Sequence, residues 1–354
     1  MRRIPLVSVL ITAHNRPEEL RQTLRQLRQQ RYRALDLLVI DDASSTPIED
    51  VVREEWPEAE FHRNERNLGL IGSRTLGMAR VRGDYMLVLD DDSAPVDPMA
   101  IALLVSRFER EQELGVITCH VVEGLTLPAN VQAPAGERYV QSYTGCGHMM
   151  RVEMMHTVGG YRDYFTYYGE ESEYALRVFN AGWRILYLPS VVIHHRMSVI
   201  GRSNARITAY NFRNTLWTVL LDLPFPRLLL DGAWKLGIGS VELLKQGNVR
   251  WALWAVGSFA TGLSRVLADR QPVSATALRA YDNVRFRTVR SPDMLTATAP
   301  SLAERLVWFR RVWWHRRRAA AFWNRQREGI GRLAWVAGKE RATVSDAERN
   351  GTSP

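Results

Sequence analysis

The sequence predicts an α/β fold built on a doubly wound, mostly parallel sheet. Three short apolar runs, at residues 7–12, 37–40 and 85–89, have the length and composition of buried strands. Segments of helical character separate them, at residues 17–27 and 71–81. Strands that alternate with helices in this way form parallel sheets, because the helix carries the chain back to the start of the next strand.

The first helix has a clear start and a clear buried side. Pro17 suits the first helical turn, and the acids Glu18 and Glu19 suit the positive end of the helix dipole. Apolar residues then recur at helical spacing, at Leu20, Leu24 and Leu27. This spacing predicts a helix that packs one face against the sheet.

Polar residues follow each predicted strand at the point where it ends. His14 follows the first strand, Asp42 the second, and Asp90, Asp91 and Asp92 the third. Because the carboxyl ends of parallel strands meet at one edge of the sheet, we expect the ligand site there. Three adjacent carboxylates repel one another, which favours a hard cation that bridges to a substrate phosphate. The alternative is a solvated acidic loop.

Several classes of protein are disfavoured by what the sequence lacks. No G-x-G-x-x-G motif follows the first strand, and no G-x-x-x-x-G-K-[ST] motif occurs, which argues against a dinucleotide-binding domain and a P-loop. The two cysteines, Cys119 and Cys146, are too few for a disulfide framework. The N-terminal apolar run is only about seven residues long and predicts a strand rather than a signal peptide. We therefore expect a cytoplasmic protein.

Six blocks of sequence carry a resemblance to a known family. In order, they read VSVLITAHNR, LLVIDDASST, NLGLIGSRTLGMARVRGDYMLVLDDD, TGCGHMMRVEMMHTVGGYRDYF, YGEESEYALRVFNAGWRILYLPSVVIHH and YNFRNTLW. This series resembles glycosyltransferase family 2 over roughly residues 5–225. The resemblance implies a GT-A fold and the metal-dependent, inverting transfer of a hexosyl or deoxyhexosyl group from a nucleotide-diphosphate sugar. The implied acceptor is a hydroxyl of a saccharide, a lipid-linked sugar or a small molecule, in polysaccharide, glycolipid or cell-envelope glycan synthesis.

The resemblance assigns contacts with the nucleotide sugar to residues near the ends of the first strands and on the helix that follows. These residues are Thr12, Ala13, His14, Arg16, Asp42, Arg74, Asp90 and Asp91. Asp42 would accept a hydrogen bond from the base, which favours UDP or dTDP as the donor nucleotide, with GDP as a further candidate. An Asx turn before Ser44 is the structural alternative for Asp42.

The D-x-D positions of the family fall on Asp90 and Asp92, which are therefore the implied ligands of Mn²⁺ or Mg²⁺. Asp91 would touch the ribose or the sugar. The family also places a histidine near the metal or the diphosphate. Counted from Pro189, His194 fits this position better than the neighbouring His195. His194 is accordingly the predicted third metal ligand.

The family's catalytic base falls on Glu171, at the start of a predicted helix. This chain has Glu where the family has Asp, so Glu170 is an alternative, and ordinary capping of the helix by acids is another. If neither acid acts as a base, the chain would be a catalytically silent nucleotide-sugar- or carbohydrate-binding member of the same fold. Gly145 and Gly147 would let the backbone approach the donor or acceptor sugar, which Glu170 would also contact. Cys146 is not expected to be a nucleophile.

The predicted organisation is a catalytic domain at residues 1–225, a helical, basic and Trp-rich region at 226–342, and a polar, disordered tail at 343–354. Helices are expected at 227–245 and 249–267, as a hairpin packed on the catalytic domain or at an oligomer contact. A loop-rich linker is expected at 270–300. The longest uncharged run, residues 251–264, is shorter than the roughly 20 residues that a membrane span needs.

Positive charge is concentrated at the C-terminal end. Residues 301–354 carry 12 Lys and Arg against 5 Asp and Glu, and so most of the net charge of +9. Aromatic residues alternate with arginines over residues 306–335. This pattern predicts either a helix on an anionic membrane surface or a helix packed on the core or on a second subunit. Nucleic-acid binding is not expected, because no fold that supports it is recognisable.

Overall fold

The computed structural model describes residues 3–134, 136–197, 203–308 and 310. The chain divides into two units, Met1–Ala299 and Pro300–Pro354. The described part of the second unit is helical over residues 302–308. The first unit contains the sheet and the helices described below.

The described chain forms one sheet with helices on both of its faces. Its strands are β1 (Val7–Ala13), β2 (Leu35–Asp41), β3 (Glu60–Arg63), β4 (Tyr85–Asp90), β5 (Ser93–Pro95), β6 (Leu114–Glu123), β7 (Arg138–Tyr139), β8 (His148–Arg151) and β9 (Arg184–His195). Its helices are α1 (Pro17–Leu27), α2 (Glu49–Glu55), α3 (Gly69–Met78), α4 (Ala100–Glu109), α5 (Val152–Val158), α6 (Glu170–Asn180), α7 (Asn204–Asp222), α8 (Arg227–Lys245), α9 (Val249–Ala268) and α10 (Ala275–Phe286).

The strand order is β3-β2-β1-β4-β8-β6-β9-β5, with β7 paired to β9. Strands β1 to β4 run parallel, as do β6 and β9, whereas β8, β5 and β7 pair antiparallel with their neighbours. The prediction of an α/β fold with a mostly parallel sheet is confirmed. The three predicted strands correspond to β1, β2 and β4, and the first two helical segments to α1 and α3.

The core explains why the central strands are almost continuously apolar. Leu10 and Ile11 of β1 and Val88 and Leu89 of β4 are at most 1% exposed, and because adjacent residues of a strand point to opposite faces, both faces of the sheet are covered. In α1, Leu20, Leu24 and Leu27 are buried together. The packing of these side chains fixes the strand ends that carry the polar loops.

Helices α8, α9 and α10 belong to the same compact unit as the sheet, Met1–Ala299. Helices α8 and α9 have the predicted positions, and both pack on α7. The prediction of a loop-rich linker over 270–300 was wrong, because α10 forms there. The hydroxyl of Ser274 caps α10, and Tyr281 packs edge-on against Phe179 of α6 at 5.9 Å.

No helix in the described part of the chain is long and apolar enough to cross a bilayer. The aromatic and arginine-rich segment lies almost entirely outside the described residues, as does the polar stretch 343–354. The predictions made for these two segments therefore stay predictions.

Candidate active site

Three polar loops meet at one edge of the sheet, as the sequence predicts. Thr12 is in register with Ile40 on one side and with Asp90 on the other. The backbone N–H of Asp42 donates to the carbonyl of Ala13 at 2.9 Å, which ties the first two loops together. Among the described residues, no group hydrogen-bonds to the buried hydroxyl of Thr12.

The loop before β8 joins the same edge from the other side. The N–H of Gly147 donates to the carbonyl of Val88 at 2.9 Å, which brings residues 145–147 beside the end of β4. A Cβ on Gly147, where φ is +72°, would lie 2.7 Å from the side chain of Ile193. Gly147 is therefore required by the contact with β9, and not only by the approach of a ligand as the sequence suggested.

Two arginines balance part of the negative charge of the three aspartates. Arg16 contacts Asp91 at 2.8 Å and Asp92 at 2.5 Å, and Arg74 contacts Asp90 at 2.5 Å. Arg16 is 28% exposed in its side chain, whereas Arg74 is only 2% exposed. Arg16 thus lies on the open side of the aspartates, where an incoming anionic ligand can reach it, and Arg74 lies behind them.

The aspartates differ in their tendency to ionise. Burial raises the pKa of Asp91 well above its usual range, although the charge of Arg16 opposes this. Burial would also raise the pKa of Asp92, but the close approach and charge of His195, together with Arg16, hold that pKa well below its usual range. Asp92 is therefore an anion at any pH near neutrality, as a metal ligand must be.

The histidine at this site is His195, which corrects the prediction of His194. Nε2 of His195 lies 3.1 Å from Oδ1 of Asp92 and 3.9 Å from Oδ2 of Asp90. The ring of His194 lies on the opposite face of β9, where its Nε2 hydrogen-bonds with the carbonyl oxygen of Gly124 at 2.8 Å. Successive side chains of a strand point to opposite faces, so only one of the two histidines can reach the aspartates.

The donor atoms at this edge fit a divalent cation. A carboxylate oxygen of Asp90, the sulfur of Cys146 and a ring nitrogen of His195 all lie within 4.8 Å of one another, and Asp92 adjoins them. Carboxylate and imidazole suit Mn²⁺, whereas a thiol is a softer ligand. Burial raises the pKa of the Cys146 thiol well above its usual value, so the carboxylates and the imidazole are the better candidates.

Asp42 makes contacts that were not predicted from the sequence, either as a contact with the base or as an Asx turn. Its carboxylate accepts hydrogen bonds from the N–H groups of Leu68 and Gly69 at 2.7 and 2.9 Å, and from the side chain of Asn64 at 2.9 Å. It therefore caps the start of α3. The side chain that bonds to the backbone of this loop is that of Asp41, which accepts from the N–H of Ser44, three residues on, at 2.9 Å. About one lone pair of Asp42 is left for a nucleotide base.

His14 adjoins Asp42 at the mouth of the site. Its ring Nδ1 hydrogen-bonds with the backbone carbonyl of Asp42 at 2.9 Å, and the residue is exposed. This contact fixes the orientation of the imidazole between the loops after β1 and β2. The ring thus presents an aromatic face at the position where the resemblance implies the base and ribose.

Arg74 links the aspartates to the acids of α6. Its Nη1 lies 3.3 Å from Oε1 of Glu170, while its Nη2 holds Asp90. Both Arg74 and Glu170 are buried, and the charge of Arg74 partly offsets the cost of burying this carboxyl group. Arg74 was predicted to approach the nucleotide, but the structure places its guanidinium between these two acids.

The carboxylate of Glu171 lies close to Gly145. A Cβ on Gly145 would lie 2.6 Å from Oε1 of Glu171 and 3.0 Å from Nη1 of Arg74. Burial raises the pKa of Glu171, and burial together with the charge of Glu171 raises the pKa of Glu170 well above its usual range. Glu171 is the more exposed of the two acids, so it is the one that a substrate can reach.

Two residues that support the aspartate loop could not be found from the sequence. The hydroxyl of Thr23 donates to the carbonyl of Asp91 at 2.7 Å, and the guanidinium of Arg196 donates to Thr23 at 2.5 Å. The N–H of Arg196 also donates to the carbonyl of Asp92 at 2.9 Å. Neither residue belongs to a recognisable motif, because their contacts arise only when α1 and the end of β9 meet.

The order of the strands and the polar loops at this edge of the sheet are those of a GT-A glycosyltransferase fold. Residues 8–165 match the profile of Glycosyl transferase family 2, so this part of the chain is similar to that family. The chain is 28% identical over 216 residues to a probable glycosyltransferase of Bacillus subtilis, YdaM, covering 54% of this chain and 51% of that protein. It is 24% identical over 234 residues to the O-antigen biosynthesis protein RfbC of Myxococcus xanthus, covering 58% of this chain and 18% of that protein. The chain thus spans about half of the length of the first relative and less than a fifth of the second.

Solved structures share the fold at low sequence identity. A mannosyltransferase of Pyrobaculum calidifontis, solved with GDP-Man and Mn²⁺, has a TM-score of 0.51 and 14% identity, covering 75% of this chain and 84% of that structure. TarS of S. aureus, residues 1–349 with UDP-GlcNAc, has a TM-score of 0.52 and 13% identity, covering 79% and 87%.

Proposed function

We propose that this chain is an inverting, metal-dependent glycosyltransferase that moves a hexosyl or deoxyhexosyl group from a nucleotide-diphosphate sugar to a hydroxyl acceptor. The observation that carries the proposal is the position of Glu171. Its carboxylate adjoins Gly145 and Arg74, and Arg74 in turn holds Asp90. The candidate base and a candidate metal-binding acid therefore lie near the same guanidinium.

The donor site consists of the loops after β1 and β2 and the aspartate loop. Thr12, Ala13 and His14 border it, and Arg16 offers a partly exposed positive charge beside Asp91. Uridine or thymidine diphosphate sugars are the favoured donors, because a single carboxylate acceptor at Asp42 suits a ring imide N–H. A guanosine diphosphate sugar is the further candidate, and solved relatives of the fold hold both UDP and GDP sugars.

Asp90, Asp92 and His195 would hold Mn²⁺ or Mg²⁺, which supplies positive charge that stabilises the leaving diphosphate. Glu171 accepts the proton of the acceptor hydroxyl. The hydroxyl oxygen then forms its bond to the anomeric carbon as the bond from that carbon to the diphosphate oxygen breaks, with inversion. A raised pKa makes Glu171 a stronger base than an exposed glutamate once it is ionised.

The resemblance to an O-antigen biosynthesis protein supports a role in polysaccharide or cell-envelope glycan synthesis. In that role the acceptor is a saccharide, free or carried on a lipid, and the protein acts in the cytoplasm or at the inner face of the membrane.

The proposal is tested by thermal unfolding of the full chain with a panel of UDP, dTDP and GDP sugars, each with Mn²⁺, Mg²⁺ or chelator. We expect one nucleotide class to raise the unfolding temperature only when metal is present. Turnover of that donor with added acceptors then separates an enzyme from a silent binding protein. Stabilisation without turnover on any acceptor would support the silent alternative, and no stabilisation by any donor would contradict the proposal.

A further inference from the structure

Helix α8 turns its buried side toward α7. A Cβ on Gly239 would lie 2.4 Å from the ring of Phe212, and one on Gly232 would lie 3.5 Å from Val219. Leu243 on the same side of the helix is 7% exposed. Small residues thus bring α8 close to α7, and this contact fixes which face of α8 is turned to solvent.

The solvent face of α8 is apolar, which is the reverse of the usual pattern for a surface helix. The large side chains on this face are 47–75% exposed, and they are Leu229, Leu230, Trp234, Leu236, Val241 and Leu244. At about 100° per residue these positions fill an arc of roughly 160° on one side of the helix. Exposed apolar residues are common singly, but a continuous stripe over a whole helix indicates a binding surface.

The charged residues of α8 lie beside this stripe. Both acids are paired with bases of the same helix, Asp231 with Arg227 at 2.8 Å and Glu242 with Lys245 at 3.2 Å. Lys235 adds a further base. Helix α8 itself thus has three bases and two acids, although Arg227 also pairs with Asp282 of α10 at 2.7 Å.

Helix α9 repeats the pattern. Its exposed large side chains are 52–70% exposed, and they are Val249, Leu253, Val256 and Leu267. The helix contains no acid, and its charged residues are Arg250 near the start and Arg265 near the end. On its other side, Ala255 and Val266 are fully buried.

We propose that the exposed faces of α8 and α9 bind the surface of an anionic lipid bilayer, with both helices lying in the plane of the interface. Aliphatic side chains on the face with Trp and basic residues at its border are typical of interfacial helices. A contact with a second protein would instead favour aromatic and Arg anchors at its centre, where Leu and Val contribute less. Residues 225–270 have six bases and three acids, and Arg227 and Arg265 also pair with Asp282 and Asp163 outside this range. The small positive excess that remains suits the negative charge of the lipid.

This surface would bind one side of the bilayer and would not cross it. No described helix is long and apolar enough to cross a bilayer. The surface is distinct from the basic segment after residue 305, and it does not depend on the proposed transfer reaction. It would hold the protein beside any acceptor that is anchored in lipid.

The test uses the full chain and vesicles of phosphatidylcholine, with or without about one quarter phosphatidylglycerol. The variant Leu230→Glu/Leu253→Glu places charge on the two faces at residues that are 66% and 69% exposed. The matched control Ile4→Glu/Leu125→Glu makes the same change at residues that are 67% and 78% exposed elsewhere. We expect the wild type and the control to sediment with anionic vesicles. The partition coefficient of Leu230→Glu/Leu253→Glu should be lower by roughly tenfold or more.

A labelled form gives a second measurement that does not depend on the charged variant folding. Both native cysteines are buried, so Leu230→Cys and Leu125→Cys each provide one accessible thiol for an environment-sensitive dye. Anionic vesicles should shift the emission of the dye at residue 230 to the blue and leave the dye at residue 125 unchanged.

Three results would overturn the inference. The wild type could fail to bind anionic vesicles. Binding could persist in Leu230→Glu/Leu253→Glu and be lost when Arg316, Arg317 and Arg318 are changed to Gln, which would assign it to the C-terminal segment. Sedimentation velocity could show that the wild type is a dimer that the Leu230→Glu/Leu253→Glu change dissociates, with no lipid bound, which would make a second copy the occupant of these faces.

Discussion

Nε2 of His195 lies 3.1 Å from Oδ1 of Asp92, so the end of β9 meets the aspartate loop through this pair. The neighbouring His194 lies on the other face of the strand, at the carbonyl of Gly124. The two histidines thus provide a matched pair of variants at adjacent positions. One tests the proposed metal site, and the other tests only the packing of β9.

We predict that His195→Ala weakens Mn²⁺ binding by roughly tenfold or more, because the site loses its only imidazole donor among the described residues. His194→Ala should leave the affinity for Mn²⁺ unchanged. Calorimetric titration of Mn²⁺ in the presence of the donor nucleotide measures both. If the two variants had equal effects on Mn²⁺ affinity, His195 would not be a metal ligand.

Asp92→Ala should abolish the metal-dependent part of donor binding and lower turnover by roughly a hundredfold or more. The reason is that Asp92 is held ionised at the strand end, where the diphosphate charge must be balanced. Asp92→Asn keeps the shape of the side chain but removes its charge, and it should lose the same metal-dependent binding. This variant therefore tests the charge of residue 92 separately from its packing. Glu65→Ala, at an exposed acid outside the site, is the control. Donor titration with Mn²⁺ and with chelator gives the comparison, and wild-type metal dependence in Asp92→Asn would reject Asp92 as a ligand.

Gly145→Ala should lower turnover while leaving the protein folded. The added Cβ would lie 2.6 Å from Oε1 of Glu171, so the carboxylate has to move away from its position beside Arg74. Gly257→Ala is the control, because a Cβ there meets nothing within 4 Å and the change favours the helix by up to about 1 kcal/mol. Turnover and thermal unfolding are measured on both variants. If Gly145→Ala were as active as the wild type, the contact with Glu171 would have no catalytic importance.

The rate should fall at acidic pH with a midpoint above the ordinary glutamate value of 4.5. Burial raises the pKa of Glu171, and a base must be ionised to accept a proton, so activity is lost as pH falls through the raised pKa. The measurement is kcat/KM against pH at saturating metal, with thermal unfolding followed over the same range to exclude acid denaturation. A midpoint at or below 4.5 would mean that Glu171 is not the group that titrates.

The sequence is sufficient to predict the strands and the edge where the site lies, because apolar runs that end in acids carry that information locally. Which histidine reaches the aspartates depends on the register of β9 against β5, where Ser93 pairs with His195, and a one-residue shift reverses the face. The cap that Asp42 forms on α3 is equally invisible in the sequence, since Leu68 and Gly69 donate through the backbone. Helix α10 escaped prediction because its buried side depends on tertiary contacts with α6.

The central claim is that Glu171 is the base of a metal-dependent sugar transfer, and the most direct test is the turnover of Glu171→Gln with donor, acceptor and Mn²⁺. Gln keeps the shape of the side chain but cannot accept the proton, so we predict unchanged donor affinity and a rate lower by about 10²–10⁴-fold. The same measurement on Glu170→Gln shows whether the neighbouring buried acid shares the role. A wild-type rate in Glu171→Gln would contradict the account.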